Sequence, residues 1–260
     1  MNCMEMKLVK GMAVGFLAGW LLAGCSSGYS LAGVEGGRIA ITDKYDRNTD
    51  PEALNILKPY QQKVDSIMKP VIGHSAKALS AYRPESPLSN WIADVLRQSA
   101  VRAIGKPADV AVMNMGGIRN AMPEGEITYG TIYEIAPFEN ALCVLTMDGA
   151  TLKELFAEIA SVHGEGLSGA ALQIDEEGNL LDAKVNGRPV EEKKVYTVAT
   201  IDYLAEGNDR MMAFRKAQSK TFPKDALLRG LLLDAVKQYE QKGQFVSAQV
   251  EGRIKVSASN

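Results

Sequence analysis

Val110-Ala111-Val112-Met113 is a short apolar run that breaks at once into Asn114-Met115-Gly116-Gly117-Ile118-Arg119. A run this short with β-branched residues favours a buried strand over a helix. Two glycines directly after a strand let the backbone turn sharply and let a ligand approach the main chain closely. Asn114 puts an amide, and Arg119 a guanidinium fork, at the mouth of that turn. The stretch 109–140 closes on Pro137-Phe138-Glu139-Asn140, an aromatic ring beside a second amide just before another apolar run. Arginine, asparagine and an aromatic face together suit a ring-bearing, phosphorylated ligand. Asn114, Gly116, Gly117, Arg119, Phe138 and Asn140 are therefore the candidate site residues. The same residues also fit a bare βα turn carrying one surface arginine.

The rest of the chain surrounds this stretch with mixed elements. Residues 34–42 alternate weakly, as a short leading strand would. Pro51 opens a helix over 52–68 in which Leu54, Leu57, Gln61, Val64 and Met68 recur at helical spacing. Residues 71–74 and 78–82 are expected to be short extended pieces. Ser86 followed by Pro87 is an N-cap and first-turn pair for a helix over 87–104, which Gly105 and Pro107 end. A short helix over 132–136, a strand over 141–147 and an amphipathic helix over 150–161 follow. Residues 163–169, which include His163, are expected to form a loop. Residues 172–175 and 180–185 are expected to pair as a hairpin, and Asn186-Gly187 marks a type I′ turn. A strand over 194–200, a loop over 202–209, a helix over 223–242 and a strand over 251–256 complete the order. Strands and helices do not alternate regularly, which predicts an α+β fold.

At the N-terminus, Lys7 and Lys10 precede an apolar run over 12–23 that is too short to span a bilayer, followed by Leu22-Ala23-Gly24-Cys25. This has the layout of a secretory signal, and its ending resembles a bacterial lipobox. That resemblance implies cleavage before Cys25 and lipidation of its thiol. A plain signal peptide, or a short anchor with a coincidental cysteine, is the alternative. The expected organisation is a lipoprotein signal peptide over 1–24, a lipidated Cys25 with tether over 25–50, and one domain over 51–260. The expected address is an exported, membrane-anchored lipoprotein of the bacterial periplasm or outer membrane. Of the chain's three cysteines, only Cys143 would then remain unmodified in the mature protein, a small buried hydrophobe, so no disulfide framework is expected. Net charge is −2, and basic residues are dispersed rather than interleaved with aromatics, so a nucleic-acid surface is not expected.

Catalytic groups are sparse. The two histidines, His74 and His163, are far apart in sequence, whereas a hydrolytic metal site needs several histidines and carboxylates to converge. No nucleophile elbow, phosphate-binding P-loop or dinucleotide fingerprint is present. The residues look equipped to bind rather than to do chemistry.

Several blocks resemble, in order, the C-terminal substrate-binding domain of 5′-nucleotidases, whose fold is a layered α/β/β/α sandwich. Glu85-Ser86-Pro87-Leu88-Ser89-Asn90-Trp91-Ile92-Ala93-Asp94 is similar to E-S-x-L-G-N-L-I-A-D. Asn114-Met115-Gly116-Gly117-Ile118-Arg119 resembles N-G-G-G-I-R, and Ile127-Thr128-Tyr129-Gly130 matches I-T-Y-G. Pro137-Phe138-Glu139-Asn140 resembles P-F-G-N, residues 195–205 resemble Y-x-V-A-T-x-D-Y-L-A, and Glu251-Gly252-Arg253-Ile254 matches the closing E-G-R-I. The resemblance implies that Asn114 and Arg119 contact a nucleotide and that Phe138, helped by Asn140, stacks on the base. It places a further substrate-contacting arginine at Arg102. It also aligns residues 206–211 with a segment G-G-D-G-F/Y, which makes Asp209 a site residue and puts Met211 where the family has the second stacking aromatic. Met115 and Glu139 each replace a glycine of the family pattern. In that family the metals and the catalytic Asp–His pair belong to a separate metallophosphatase domain. The resemblance thus implies no cofactor bound by this chain, with divalent metals on a separate catalytic metallophosphatase partner. It implies the substrate-binding half of a split 5′-nucleotidase. The alternatives are a standalone nucleotide- or nucleoside-binding lipoprotein and an interaction scaffold with a degraded site.

Overall fold

The computed structural model describes residues 31–257. The expected signal peptide and lipidated Cys25 lie outside them. Two units are distinguished, divided between Leu54 and Asn55. In the first, residues 31–42 carry no regular structure, so the expected leading strand over 34–42 does not form. Its alternation has no neighbouring strand to complete a ladder, and a strand without a partner leaves its backbone groups to water. A 3₁₀ turn, Asp43–Asn48, follows.

The chain then enters helix α1 (Pro51–Met68). This helix forms where its periodicity predicts, with Asp50 Oδ1 accepting from the Glu52 N–H at 2.9 Å. None of its positions is buried, however, so the apolar face read from Leu54, Leu57 and Val64 is exposed. No helix among the described residues is long and apolar enough to cross a membrane.

The second unit is built in chain order from β1 (Val71–Ser75), α2 (Pro87–Ser99), α3 (Val101–Ile104), β2 (Val110–Met113), β3 (Gly125–Thr128), α4 (Tyr129–Ile135), β4 (Leu142–Asp148) and α5 (Gly149–Ser161). It continues through β5 (Gly166–Ser168), β6 (Ala170–Asp175), β7 (Leu180–Val185), β8 (Arg188–Pro189), β9 (Val195–Ile201), α6 (Asp202–Ala205), β10 (Ser219–Thr221), α7 (Leu228–Gln241) and β11 (Ile254–Ser257). The main sheet has the order β10-β4-β9-β2-β5, a second has β11-β6-β7-β8, and β1 pairs with β3. In the main sheet β2 runs parallel to β9 while the other pairs are antiparallel. The α+β class is as expected.

Burial follows position in the sheets. All four residues of β2 are buried, as befits an interior strand covered on both faces. β6 alternates between buried and exposed residues, the pattern of a strand covered on one face. Helix α2 lies against β2, β5 and β9, and α7 lies beside α2. Helix α5 touches strands of both larger sheets through Leu152, Leu155, Phe156 and Ile159, all fully buried.

Local signals mostly act as expected. Ser86 caps α2 with Pro87 in the first turn, Gly105 closes α3 at φ 71°, and Asn186 and Gly187 take φ values of 50° and 77°, the type I′ signature. The helix expected over 87–104 is divided at Ala100. Residues 78–82 contribute only an isolated bridge, Leu79 to Met122. The loop expected over 202–209 begins instead with α6, and the one expected over 163–169 contains strand β5. The helix expected over 223–242 starts later, at Leu228, and the final strand at Ile254.

Two of the motif blocks are structural. Glu85, only 4% exposed, accepts from Asn90 Nδ2 at 2.6 Å and from the Glu251 N–H at 2.7 Å. Arg253 donates through both terminal nitrogens to the Asp94 carboxylate, at 2.8 Å each. The first block is thereby fastened to the last, and the start of α2 to the strand that closes the fold.

Candidate functional site

Strand β2 delivers Asn114 to the start of a 3₁₀ turn, Met115–Gly117. The turn needs its second glycine. A Cβ on Gly117 would lie 2.6 Å from Met113 Cε and 2.7 Å from Asn114 Oδ1, whereas one on Gly116 would meet nothing closer than 3.7 Å. Met115, in place of a glycine, does not block the turn, because its side chain is buried beneath it.

The turn is held from several directions. Asn114 Nδ2 donates to Asp209 Oδ2 at 2.6 Å, and the Tyr203 hydroxyl donates to Asp209 Oδ1 at 2.8 Å. That bond to a carboxylate raises the Tyr203 phenol above its usual pKa. Asn114 Oδ1 is buried without a hydrogen-bond partner. Asp209 and Arg210 both adopt left-handed backbone, φ 53° and 67°, conformations that non-glycine residues rarely hold. The Arg119 N–H donates to Ile135 O at 2.9 Å, and Arg119 Nη1 reaches back to Gly116 O at 3.1 Å. The guanidinium stays exposed above the turn, with its remaining donors directed to no protein acceptor among the described residues.

On the far side, the loop after α4 brings Phe138 and Asn140 to the same place. With Gly117, Met113, Ala136 and Leu228 they line a cavity of about 10 Å³, room for a single water. Phe138 is 51% exposed. The Glu139 carboxylate lies 3.9 Å from Arg229 Nη2. Arg229 is held in turn over the Tyr133 ring, 4.5 Å from its centre, and by the carbonyls of Ala136 and Pro137.

Asn114, Gly116, Gly117, Arg119, Phe138, Asn140 and Asp209 are thus on neighbouring loops. Two expected members are not with them. Met211 is fully buried and belongs to the core, so it cannot stack on a ligand: the left-handed Asp209-Arg210 pair turns it inward. Arg102 leaves the short helix α3 toward α7, where Nη2 meets Asp234 Oδ2 at 2.8 Å. There it lines a groove of about 730 Å³ between α2 and α7 whose walls include none of the other site residues. The groove's acids are largely engaged within the protein, Asp234 by Arg102 and both Asp94 and Glu251 by Arg253.

Glu165 and Arg83 were not anticipated. Glu165 is 3% exposed; it accepts the Met115 N–H and pairs with Arg83 Nη2. Burial pushes its carboxyl above the ordinary range, against the opposing pull of the Met115 N–H and the Arg83 charge. The available signal was Gly164-Glu165-Gly166, a carboxylate between two glycines.

The two carboxylates nearest the turn are engaged by protein donors, and no group of three or more His, Cys, Asp or Glu among the described residues could hold a metal ion.

The strand-turn thus carries an exposed arginine, with an exposed phenylalanine and an asparagine on the neighbouring loop. Residues 71–216 match the family described as 5′-nucleotidase, C-terminal domain, and the chain belongs to that family. It is 33% identical over 175 residues to "Endonuclease YhcR" of Bacillus subtilis, covering 64% of this chain and 14% of that protein. It is 29% identical over 179 residues to "Silent protein UshA(0)" of Salmonella typhimurium, covering 66% of this chain and 32% of the relative. Among solved structures, a 5′-nucleotidase precursor from Thermus thermophilus superposes with a TM-score of 0.69 at 27% identity, covering 79% of this chain and 43% of that one. The chain therefore spans less than half the length of each of these relatives.

Proposed function

We propose that this chain is the nucleotide-binding half of a split 5′-nucleotidase, acting in nucleotide hydrolysis with a separate metallophosphatase chain that supplies the metals and the attacking water. The observation that carries this reading is the convergence of the Gly116-Gly117 turn, the exposed Arg119 guanidinium and the exposed Phe138 ring beside Asn140. Arg119 would take the phosphate through charge-assisted hydrogen bonds, Phe138 would stack on the base, and Asn140 would fix the base edge. Asn114 would act by holding Asp209, since its amide is already committed there.

The N-terminal segment supports delivery of the domain to the cell envelope, anchored through lipidated Cys25. Loss of palmitate labelling in Cys25→Ala, with the protein released from membranes, is the expected result; unchanged labelling would remove the anchor from the reading.

Calorimetry with AMP and adenosine tests the binding half of the proposal. Arg119→Ala should weaken AMP by about tenfold or more, the scale of a charged hydrogen bond, and adenosine far less. Mixing the domain with exported metallophosphatases and AMP tests the rest: neither association nor altered hydrolysis would overturn it. The burial of Met211 favours one second reading, a scaffold whose one-walled site has ceased to bind. A folded protein that binds no nucleotide or nucleoside would establish that reading instead.

A further inference from the structure

Glu165 sits where β5 meets the binding turn. Strand β5 pairs antiparallel with β2, placing Gly166 opposite Met113, so Glu165 arrives beside Asn114 and Met115. The flanking glycines make this approach possible. A Cβ on Gly166 would lie 3.0 Å from Ser89 O and 3.1 Å from Met113 O, and one on Gly164 (φ 108°) would lie 2.2 Å from Pro84 O. The first N–H of a helical turn has no partner within the turn; here the Met115 N–H is supplied with a carboxylate oxygen from another strand. The second oxygen takes Arg83 Nη2, and Arg83 Nε is fixed by Gly164 O at 2.8 Å.

We propose that Glu165 is a positioning residue for ligand binding: with Arg83 it forms a clasp that sets the Met115–Gly117 turn, and so the seat of Arg119, through the Met115 N–H. The clasp tightens when Glu165 is ionised, because a carboxylate accepts an N–H more strongly than a neutral acid does. The charged groups facing Glu165 are Arg83, which favours the ionised form, and Asp209, which opposes it. An ionised carboxylate at 3% exposure is costly to bury.

The readout is amide exchange at Met115 in the ligand-free protein across pH 4 to 8, corrected for intrinsic rates, together with AMP titration. The AMP arm rests on the nucleotide reading above; the exchange arm does not. Opening of the turn alone leaves Glu165 buried but without the Met115 N–H, which favours its ionised form. In the wild type, protection at Met115 should therefore fall on acidification, opposite in sign to the effect on global unfolding, which hydrates the carboxylate. Glu165→Gln keeps the size and one acceptor, so it should recover most of the protection lost in Glu165→Ala while removing the pH dependence. Arg83→Gln should move the loss of protection to higher pH, because Glu165 then ionises with less help. AMP affinity should decline in the order wild type, Glu165→Gln, Glu165→Ala, by about tenfold or more at the extreme. If the wild type binds no AMP, the nucleotide reading fails while the exchange pattern still decides the clasp. Equal Met115 protection in wild type and Glu165→Ala, with β4 amides equally protected in both, would overturn the proposal. So would a flat pH profile in the wild type.

Discussion

Replacing Gly117 with alanine isolates what the turn requires. Gly117 does not adopt a left-handed backbone, so the substitution adds no conformational strain; its effect is one of space. The added Cβ would lie 2.6 Å from Met113 Cε and 2.7 Å from Asn114 Oδ1. Met113 is 1% exposed and has little room to move, and Asn114 is tied to Asp209 at 2.6 Å. Overfilling a packed site of this kind costs about 1–3 kcal/mol, which at this chain length lowers Tm by roughly 3–10 °C. Whichever neighbour yields, the turn shifts, so AMP affinity falls with stability. Gly116→Ala is the matched control one residue away: its Cβ would meet nothing closer than 3.7 Å, and Tm should hold or rise slightly as the unfolded chain loses freedom. Differential scanning calorimetry on the two variants is sufficient. A Gly117→Ala protein that melts with the wild type, or a Gly116→Ala protein that melts well below it, would refute the steric argument.

Further outcomes follow from the same geometry. Arg102→Ala removes an ion pair with side chains 42% and 52% exposed, so stability should change by no more than about 1 kcal/mol; AMP affinity should be untouched, and a tenfold loss in calorimetry would return Arg102 to the site. Burial pushes the Cys143 thiol up to about 11, so it should resist alkylation at pH 8 in the folded protein and react only in denaturant; rapid labelling of the native protein by mass spectrometry would contradict this. The Glu165 carboxyl is raised above its ordinary 4.5, so its contribution to stability is greatest below that value and declines as pH rises through the folded pKa. Glu165→Gln lacks that decline, and its urea-unfolding stability should gain on the wild type between pH 4 and pH 7. A difference that stays constant with pH would refute that assignment.

The parts of the site legible in sequence were those set by local chemistry. Gly116-Gly117 announced a turn after β2, which forms and leaves no room for a Cβ at Gly117, and Phe138 and Asn140 were placed together because both lie on one short loop. The failures share a cause: each depended on where a chain direction leads over several residues. Arg102 was placed by carrying the family resemblance ungapped along the helix expected over 87–104, and a motif alignment does not show that its side chain leads to Asp234. Met211 was placed by motif alignment, which carries no information about the left-handed pair that turns it into the core. The apolar stripe on α1 was correctly read as helical but not as exposed, since periodicity gives the face and not what covers it. Glu165 and Arg83 were missed because they are 82 positions apart, and nothing local links them.

The amino-acid order alone determined most of the longer elements, the β2 strand with its glycine turn, and the family, because these rest on backbone preferences and short-range patterns; the short pieces over 34–42, 166–168 and 202–205 depended on their neighbours. Tertiary structure alone decided which charges meet. It put Glu165 under the Met115 N–H, Asp209 on the Asn114 amide, Glu139 near Arg229 and Arg102 on Asp234. Such pairings arise from the approach of segments distant in sequence, and a carboxylate's partner is fixed by that approach rather than by its neighbours in the chain.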